Sequence, residues 1–242
     1  MTGAAGGVAN LLRPRLDGVS KKFRLTDIRH FVSASDLDET MIGDLADSAF
    51  VDQLVQGCDG ILHLGGVSTE QPFDEILPAN IVGVYNIYRA AAKYDRPRVI
   101  FACFNHVTGA YRTRATRAPN EPFLPDSFYG ASKVFGEAVA KLFFVKEGIE
   151  SAVVRIGSCF DQPSDLRMMS TWFSPDDFAA LIKSCFEVET LACPTIFGVS
   201  NNVRSFWRNT EISHLDWHSE ARVEDLLKSM DEADISPEEL AT

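Results

Sequence analysis

Tyr129 and Lys133 form a YxxxK pair whose side chains could transfer a proton together. Residues four positions apart lie on one face of an α-helix, so both side chains can point into one site. An ammonium group beside a phenol favours the phenolate and lowers the pKa of the tyrosine. The pair therefore predicts a tyrosine that acts as a general acid or base near neutral pH. Alone it is a weak signal, because a long chain can contain it by chance.

A glycine-rich stretch near the start of the chain strengthens the prediction made from the YxxxK pair. Gly3, Gly6 and Gly7 lie in the stretch TGAAGGVA, with Ala9 where a last glycine is usual. Such a turn lets backbone N–H groups approach a pyrophosphate, and the helix that follows favours its charge. The spacing predicts a dinucleotide site, although a plain glycine-rich turn would have the same composition.

Asp27 follows the next predicted strand, about 20 residues beyond the last glycine, where a carboxylate can bind the ribose hydroxyls of a dinucleotide. A carboxylate there repels the 2′-phosphate of NADP, so the sequence predicts NAD as the cofactor, and Arg29 nearby weakens that preference slightly. Asp27 could instead cap a helix or a turn. Asp44 and Leu45 follow a further apolar stretch and fit a contact with adenine, with the same alternative.

The overall composition limits the class of protein and its partners. The 242 residues, 45% of them hydrophobic, suffice for one large α/β domain with a full core. With 34 acidic and 23 basic residues, the formal net charge of -11 argues against nucleic acid and against an anionic membrane surface as partners. The sequence shows no apolar run of about 18 residues and no signal-peptide pattern, so we expect neither a membrane span nor a signal peptide.

Cysteine and histidine usage points to a reduced, metal-free protein. The five cysteines are scattered, odd in number and without a CxxC motif, which favours free thiols in a cytoplasmic compartment. The five histidines show no HExxH motif, and no group of cysteines and histidines has zinc-ligand spacing. We therefore predict a cytoplasmic location and no metal.

Apolar, β-rich runs alternate with helical patterns, which predicts an α/β fold with a Rossmann-type, doubly wound parallel sheet in a single domain over residues 1–242. The predicted strands are Lys22–Thr26, Gly60–Leu64, Arg98–Ala102, Ser151–Ile156 and Pro194–Gly198. The predicted helices are Gly6–Leu16, Leu45–Gln56, Phe73–Lys93, Ser127–Lys146, Pro175–Glu187 and Val223–Ala233. Residues 157–174 and 199–230 are expected to bind substrate in a small C-terminal region, and residues 231–239 to form a solvated tail.

The first strand is the unusual part of this plan. In a Rossmann-type fold the glycine turn follows a central strand, yet only Met1 and Thr2 precede Gly3. A central parallel strand is buried on both faces, and each core side chain that it supplies contributes about 1.5–3 kcal/mol. We hypothesise that this strand is truncated, as a misplaced start codon would leave it.

Several stretches spread along the chain carry a family resemblance. They are TGAAGGV (2–8), DLAD (44–47), HLGGVS (63–68), ILPANIVGVYNIYRAA (76–91), NH (105–106), DSFYGASKVFGE (126–137), VRIGSCF (154–160) and RMMSTWFS (167–174). On these stretches the chain resembles the uronate dehydrogenases, which are extended short-chain dehydrogenase/reductases of the NAD-dependent epimerase/dehydratase superfamily. The resemblance implies NAD-dependent oxidation of a hexuronic acid, such as glucuronate or galacturonate, at C1 to the aldarolactone.

The same resemblance implies roles for individual residues. Tyr129 would remove the proton of the C1 hydroxyl, and Lys133 would tune Tyr129 and hold the nicotinamide ribose. Arg167 would bind the C6 carboxylate, a bidentate task suited to a guanidinium group. The residues expected to contact sugar hydroxyls are Ser68, Asn105, His106 and Ser158. The residues expected beside the cofactor are Leu64, Gly65, Gly66 and Asn80.

Several of these positions have a structural alternative. His106 could cap the end of its strand, Ser68 could bond its own turn, and Arg167 could be a surface arginine. Asn80 could be an ordinary amide on a helix surface. His63 lies inside an apolar strand and is expected to be a satisfied core residue or to lie at the cofactor's edge.

The chain departs from the family at Phe104, which stands where the resemblance places the catalytic serine. A phenyl ring cannot hydrogen-bond a developing carbonyl oxygen, and loss of one such donor typically costs about 10²–10³ in rate. Cys103 is expected to point to the opposite face of the strand, so it is a poor substitute. The chain could retain weak activity, act on a smaller or flatter substrate, or bind NAD without turnover. A sugar-nucleotide epimerase or dehydratase is a further alternative, disfavoured by the short segment after residue 155.

Related enzymes often form dimers through the helix that carries YxxxK and the long helix before it. The resemblance therefore makes Phe73–Lys93 and Ser127–Lys146 candidate interface elements of a homo-oligomer.

Overall fold

The computed structural model describes residues 1–33, 35–111, 116–210 and 212–228. Within these ranges, parallel strands run in the orders β1-β2 and β3-β4-β5-β6. They are β1 (Arg24–Asp27), β2 (Glu39–Ile42), β3 (Gly60–His63), β4 (Arg98–Phe104), β5 (Ser151–Ile156) and β6 (Thr195–Gly198). Thr2 forms parallel bridges to Thr26 and to His63, so the residues before the glycine turn link the two sets of strands.

This link lies at the carboxyl ends of β1 and β3. The Thr2 N–H donates to the Leu62 carbonyl, and the Ala4 N–H donates to the Thr26 carbonyl, each over 3.0 Å. The Thr26 N–H donates in turn to the Met1 carbonyl over 3.0 Å. Residues 1–4 thus lie where the first strand is expected, and truncation of that strand stays a hypothesis.

Helices cover both faces of the sheet, which confirms the predicted doubly wound α/β fold. They are α1 (Gly7–Leu12), α2 (Ser48–Val55), α3 (Phe73–Ile76), α4 (Val84–Lys93), α5 (Phe128–Glu147), α6 (Met168–Thr171), α7 (Pro175–Glu187) and α8 (Val223–Lys228). One apolar core joins α1 and α7 to the sheet, and a second joins α2, α4 and α5 to the opposite face. Burial of these apolar faces is the main source of stability.

Strand β4 shows how the alternation of side chains serves both cores. Ile100 and Ala102 belong to the core under α1 and α7, whereas Phe101 and Cys103 belong to the core under α5. The predicted orientation of Cys103, away from the face of Phe104, is therefore correct. Phe104 ends the strand half-buried, at the edge where the candidate site lies.

Two elements differ from the sequence prediction. Strand β2 was not predicted, because it is a short edge strand with exposed and half-buried residues and lacks an apolar run. The predicted helix Phe73–Lys93 is helical throughout but irregular, since a π-helical segment, Leu77–Gly83, separates α3 from α4. Such π segments occur frequently at functional sites.

The remaining predictions differ mainly at element ends. The first helix ends at Leu12 and continues as a 3₁₀ turn, Arg13–Arg15, around Pro14. The region over residues 157–174, which is expected to bind substrate, contains the short helix α6. Helix α8 is described only to Lys228, and the predicted acidic tail lies outside the described residues. In the described part of the chain, every helix is too short or too polar to cross a membrane.

Candidate active site

The glycine turn brings the start of α1 close to the end of β3. Gly3 has φ +67°, and a Cβ built on it would lie 2.8 Å from the Gly65 backbone nitrogen, so both the conformation and the approach require glycine. A Cβ on Gly7, the first residue of α1, would meet nothing within 4 Å. The N–H groups of the first helical turn lack intrahelical partners. This open surface beside them is suited to an anion.

Asp27 and Arg29 close one side of this turn. One carboxylate oxygen of Asp27 accepts the Ala5 N–H over 3.0 Å, and the other accepts the Arg29 N–H over 3.0 Å. The Arg29 guanidinium donates to the Ala5 carbonyl over 3.1 Å and lies 3.6 Å from Asp27. The structure thus places Asp27 beside the glycine turn, as a ribose ligand requires, and also gives it a bonding role within the turn.

The two residues predicted to contact adenine lie in different environments. Asp44 is exposed, and its carboxylate accepts the Ala46 N–H over 2.9 Å. Leu45 is buried against the backbone of Gly65 and Gly83. Leu45 is thus also a core residue, and both adenine contacts stay predictions.

Asn80 connects three parts of the candidate site. Its side-chain oxygen accepts the Val67 N–H over 2.8 Å, and its amide nitrogen donates to the Val67 carbonyl and to Ser132 Oγ over 3.0 and 2.9 Å. Ser132 Oγ donates to the Tyr129 carbonyl over 2.7 Å. Gly66 has φ +152°, and a Cβ built on it would lie 2.7 Å from Asn80 Oδ1, so this position in the loop after β3 requires glycine. Asn80 is buried in the π segment and is not an ordinary surface amide.

The start of α5 is capped from two directions, and this cap positions Tyr129. Ser127 Oγ accepts the Gly130 N–H over 2.9 Å. The Glu70 carboxylate accepts the N–H groups of Phe128 and Tyr129 over 3.2 and 2.8 Å. A negative charge at a helix start is favourable. Sequence reasoning missed Glu70, because nothing local indicates a cap 59 positions away.

Tyr129 and Lys133 share one buried face of α5, as the spacing predicts, but their electrostatics differ from the prediction. The Lys133 ammonium donates to the Ala102 carbonyl over 3.0 Å and lies 5.6 Å from the centre of the Tyr129 ring. Burial raises the pKa of Tyr129 and lowers that of Lys133. The expected lowering of the tyrosine pKa is therefore wrong for this structure, since desolvation of the phenolate dominates.

Phe104, His106 and Tyr129 form an aromatic cluster at the end of β4. The rings of Phe104 and His106 stack with centroids 5.2 Å apart and planes 15° apart. Both rings also contact Tyr129, at centroid distances of 5.8 and 5.7 Å. The residue at the expected serine position therefore packs directly against the tyrosine.

The other predicted substrate residues are spread around this cluster. Ser68 is exposed in the loop after β3, and Asn105 is half-buried at the start of a 3₁₀ turn. Ser158 is buried, with its hydroxyl 2.9 Å from Thr171 Oγ1. The side chain of Arg167 is 70% exposed and lies 3.9 Å from Asp165. No contact within the described residues links Arg167 to the aromatic cluster, so its role stays a prediction.

His63 lies at the junction between the glycine turn and β3. Its Nδ1 is 2.7 Å from Thr2 Oγ1, which also accepts the Gly65 N–H over 2.9 Å. Its ring stacks on Phe101, and burial, reinforced by Lys133, lowers the pKa of His63 to about 3. His63 is therefore neutral in the folded protein. It is a core residue as expected, but it is only partly satisfied, because its Nε2 is buried without a hydrogen-bond partner among the described residues.

This depressed pKa makes stability depend on pH. Below about pH 6.5 the unfolded chain binds a proton at His63, whereas the folded chain resists protonation down to about pH 3. The contribution of neutral His63 to the free energy of unfolding is therefore fully present above about pH 6.5 and is lost as the pH falls below that value. We expect His63 to lower the free energy of unfolding by about 2 kcal/mol between pH 7 and pH 5. Urea denaturation at both pH values should show a smaller pH effect in His63→Gln, and equal effects would contradict this prediction.

Comparisons with known proteins show what the chain is similar to. Residues 1–170 match the profile of the NAD dependent epimerase/dehydratase family. A uronate dehydrogenase from Agrobacterium fabrum is 42% identical over 238 residues, which cover 98% of this chain and 90% of the relative. A variant uronate dehydrogenase from Agrobacterium tumefaciens, solved in complex with NAD, superimposes with a TM-score of 0.93 at 42% identity, over 98% of this chain and 88% of that chain. A glucuronic acid dehydrogenase from Chromohalobacter salexigens gives a TM-score of 0.90 at 43% identity, over 98% and 90%.

Proposed function

Because the chain belongs to the NAD-dependent epimerase/dehydratase family, we propose that it oxidises hexuronic acids such as glucuronate and galacturonate at C1, with NAD, to the aldarolactone. One observation carries the proposal: the chain is 42–45% identical to uronate dehydrogenases over 90–98% of its length. The Tyr129–Lys133 pair beside the carboxyl end of β4 supports it.

The residues present fit NAD. The open surface at Gly7 can receive the pyrophosphate, and Asp27 can accept hydrogen bonds from the adenosine ribose. The other residues expected to line the cofactor are Gly3, Gly6, Asp44, Leu45, Leu64, Gly65, Gly66, Asn80, Tyr129 and Lys133. When bound, NAD supplies the acceptor for the hydride that leaves C1.

The uronate would lie over the aromatic cluster, with its C1 hydroxyl toward Tyr129. Arg167 is a suitable partner for the C6 carboxylate, because its guanidinium is mostly exposed and its ion pair with Asp165 is long, at 3.9 Å. Ser68, Asn105 and His106 would contact sugar hydroxyls. Ser158 could join them, since a hydroxyl that bonds Thr171 retains further hydrogen-bonding capacity.

Two measurements on the whole chain test the proposed function. Calorimetric titration with NAD measures cofactor binding, and NADH absorbance then follows turnover with glucuronate or galacturonate. Glucose, which lacks the carboxylate, is the matched control substrate, and a nucleotide sugar tests the epimerase or dehydratase alternative. We expect NAD binding and uronate-dependent NADH formation, and turnover of the nucleotide sugar alone would overturn the proposal.

A second candidate function is NAD binding without turnover. The Phe104 ring favours it, because the ring packs against Tyr129 at the position expected for a catalytic hydroxyl donor. The same two measurements separate this function from the first, since it predicts NAD binding without NADH formation.

Replacing Phe104 by serine is expected to raise the rate of uronate oxidation by up to about 10²–10³, because it supplies a hydrogen-bond donor for the developing carbonyl oxygen. Steady-state kinetics with glucuronate and NAD measure the gain. Phe104→Ala is the control, because it removes the bulk of the ring without adding a donor. Equal rates in both variants would show that steric relief, and not a hydrogen bond, is the cause.

We also propose a cytoplasmic homodimer. Free thiols at all five cysteines support a reducing compartment. The helical elements over residues 73–93 and α5 expose Tyr85, Leu142 and Val145, apolar side chains that a dimer interface could cover.

A further inference from the structure

His106 and Asp126 form a hydrogen-bonded pair beside Tyr129. His106 Nδ1 lies 2.8 Å from each carboxylate oxygen of Asp126. Ser127 Oγ donates to the same carboxylate over 2.8 Å, which ties Asp126 to the cap of α5. The imidazole ring meets the Tyr129 ring edge-on at 5.7 Å, and stacking on Phe104 fixes its plane. The orientation of the imidazole is thus set from three sides.

This pairing determines the state of the imidazole. An ionised carboxylate only accepts hydrogen bonds, so His106 Nδ1 must carry the hydrogen that is donated to Asp126. In the neutral ring Nε2 is then an acceptor. Within the described residues, Nε2 makes no hydrogen bond to the protein and remains available on a partly exposed side chain.

Tyr129 needs such an acceptor in this chain. The Lys133 ammonium is bonded to the Ala102 carbonyl, and Phe104 offers no polar group. The Tyr129 hydroxyl makes no hydrogen bond to any described residue, and its burial disfavours the phenolate. A tyrosine that takes a proton from substrate must therefore pass its own proton on. Two basic side chains lie beside its ring, and of these Lys133 is an ammonium group that only donates, whereas the His106 imidazole can accept.

We propose that His106, positioned by Asp126, is the proton acceptor for Tyr129 during uronate oxidation; this step rests on the proposed function. The C1 hydroxyl proton passes to the Tyr129 oxygen as the Tyr129 proton passes to His106 Nε2. The C1–H bond breaks and its electron pair leaves with the hydride to NAD, so C1 and its oxygen form a carbonyl. Asp126 stabilises the resulting imidazolium, as a carboxylate partner does in other histidine pairs.

Activity measurements test the step with His106→Ala and Asp126→Asn, with Glu187→Gln on the exposed face of α7 as the control for loss of a carboxylate. We expect His106→Ala to lower kcat by about 10²–10⁴ and added imidazole to restore part of it, with NAD affinity retained in calorimetry. Imidazole should not rescue Asp126→Asn. Normal kcat in His106→Ala, or a loss that imidazole does not relieve, would overturn the proposal.

The pH profile gives a second readout. The titratable groups that contact His106 are Asp126 and Tyr129, with Lys133 one helical turn beyond. Imidazole side chains change charge between about pH 5 and 8, so kcat of the wild-type enzyme should fall on the acid side of that range. This acid limb should shift in Asp126→Asn, and an identical profile would argue against the pairing.

A spectroscopic test does not depend on turnover. Two-dimensional ¹H–¹⁵N NMR of the wild-type chain should show His106 in the tautomer with hydrogen on Nδ1. Asp126→Asn should change the tautomer populations. A predominant Nε2–H tautomer in the wild-type chain would overturn the proposal. The NMR results can be interpreted even if the chain does not oxidise glucuronate. Absence of glucuronate oxidation would contradict the proposed function and not the His106–Asp126 pairing.

Discussion

Replacing Tyr129 by phenylalanine is expected to lower kcat for uronate oxidation by about 10²–10⁴ while NAD affinity is retained. The change removes only the hydroxyl that would take the C1 proton. The ring remains packed against Phe104 and His106, and the cap from Glu70 uses the backbone, so α5 should keep its position. Steady-state kinetics and calorimetric titration with NAD measure the two effects.

Tyr94→Phe is the matched control, because Tyr94 follows α4 at the far end of that helix from the π segment. It loses the same hydroxyl without touching the site and should leave kcat unchanged. If Tyr129→Phe kept more than about a tenth of wild-type kcat, the phenol would not be the acid–base group. If it lost NAD binding instead, its role would be to shape the cofactor pocket.

Most of the fold could be predicted from local patterns. Strands β3 to β6 are buried, apolar runs, and their predicted bounds agree with the structure to within two residues. Strand β2 could not be predicted in this way, because its burial comes from pairing with β1 and its own residues are half-exposed. The π segment also depends on distant contacts, since the bonds of Asn80 to Val67 and Ser132 fix it there.

The candidate site could be predicted in its residue types but not in its connections. Glycine spacing indicated the turn, and a four-residue interval placed Tyr129 and Lys133 on one face of α5. Spacing carries no information on solvent exposure, so the direction of the Tyr129 pKa was predicted wrongly. The partners that complete the site, Glu70 for α5 and Asp126 for His106, lie 59 and 20 positions from the groups they bind. Only the tertiary fold brings them together.

The buried pair of Glu137 and Arg155 gives the second large prediction. Glu137 lies two turns after Tyr129 on α5, and its carboxylate accepts from Arg155 Nε and Nη2 of β5 over 2.7 and 2.9 Å. Both side chains are almost fully buried, and the Cys103 thiol donates to the same carboxylate over 3.1 Å. We expect Glu137→Ala to lower the free energy of unfolding by about 3–5 kcal/mol, because it leaves a buried guanidinium without its counter-charge.

Urea denaturation of single and double variants measures this effect and identifies its cause. If the unpaired charge is responsible, replacing both residues with apolar ones, Glu137→Leu with Arg155→Met, should recover much of the loss seen in Glu137→Ala. Glu187→Ala removes the carboxylate of an exposed pair with Lys183 on α7 and should change stability by less than about 0.5 kcal/mol. A double variant as unstable as Glu137→Ala would mean that packing, not charge, joins α5 to β5. Helix α5 also carries Tyr129 and Lys133. Loss of the Glu137–Arg155 ion pair should therefore weaken NAD binding under conditions in which the rest of the chain is still folded.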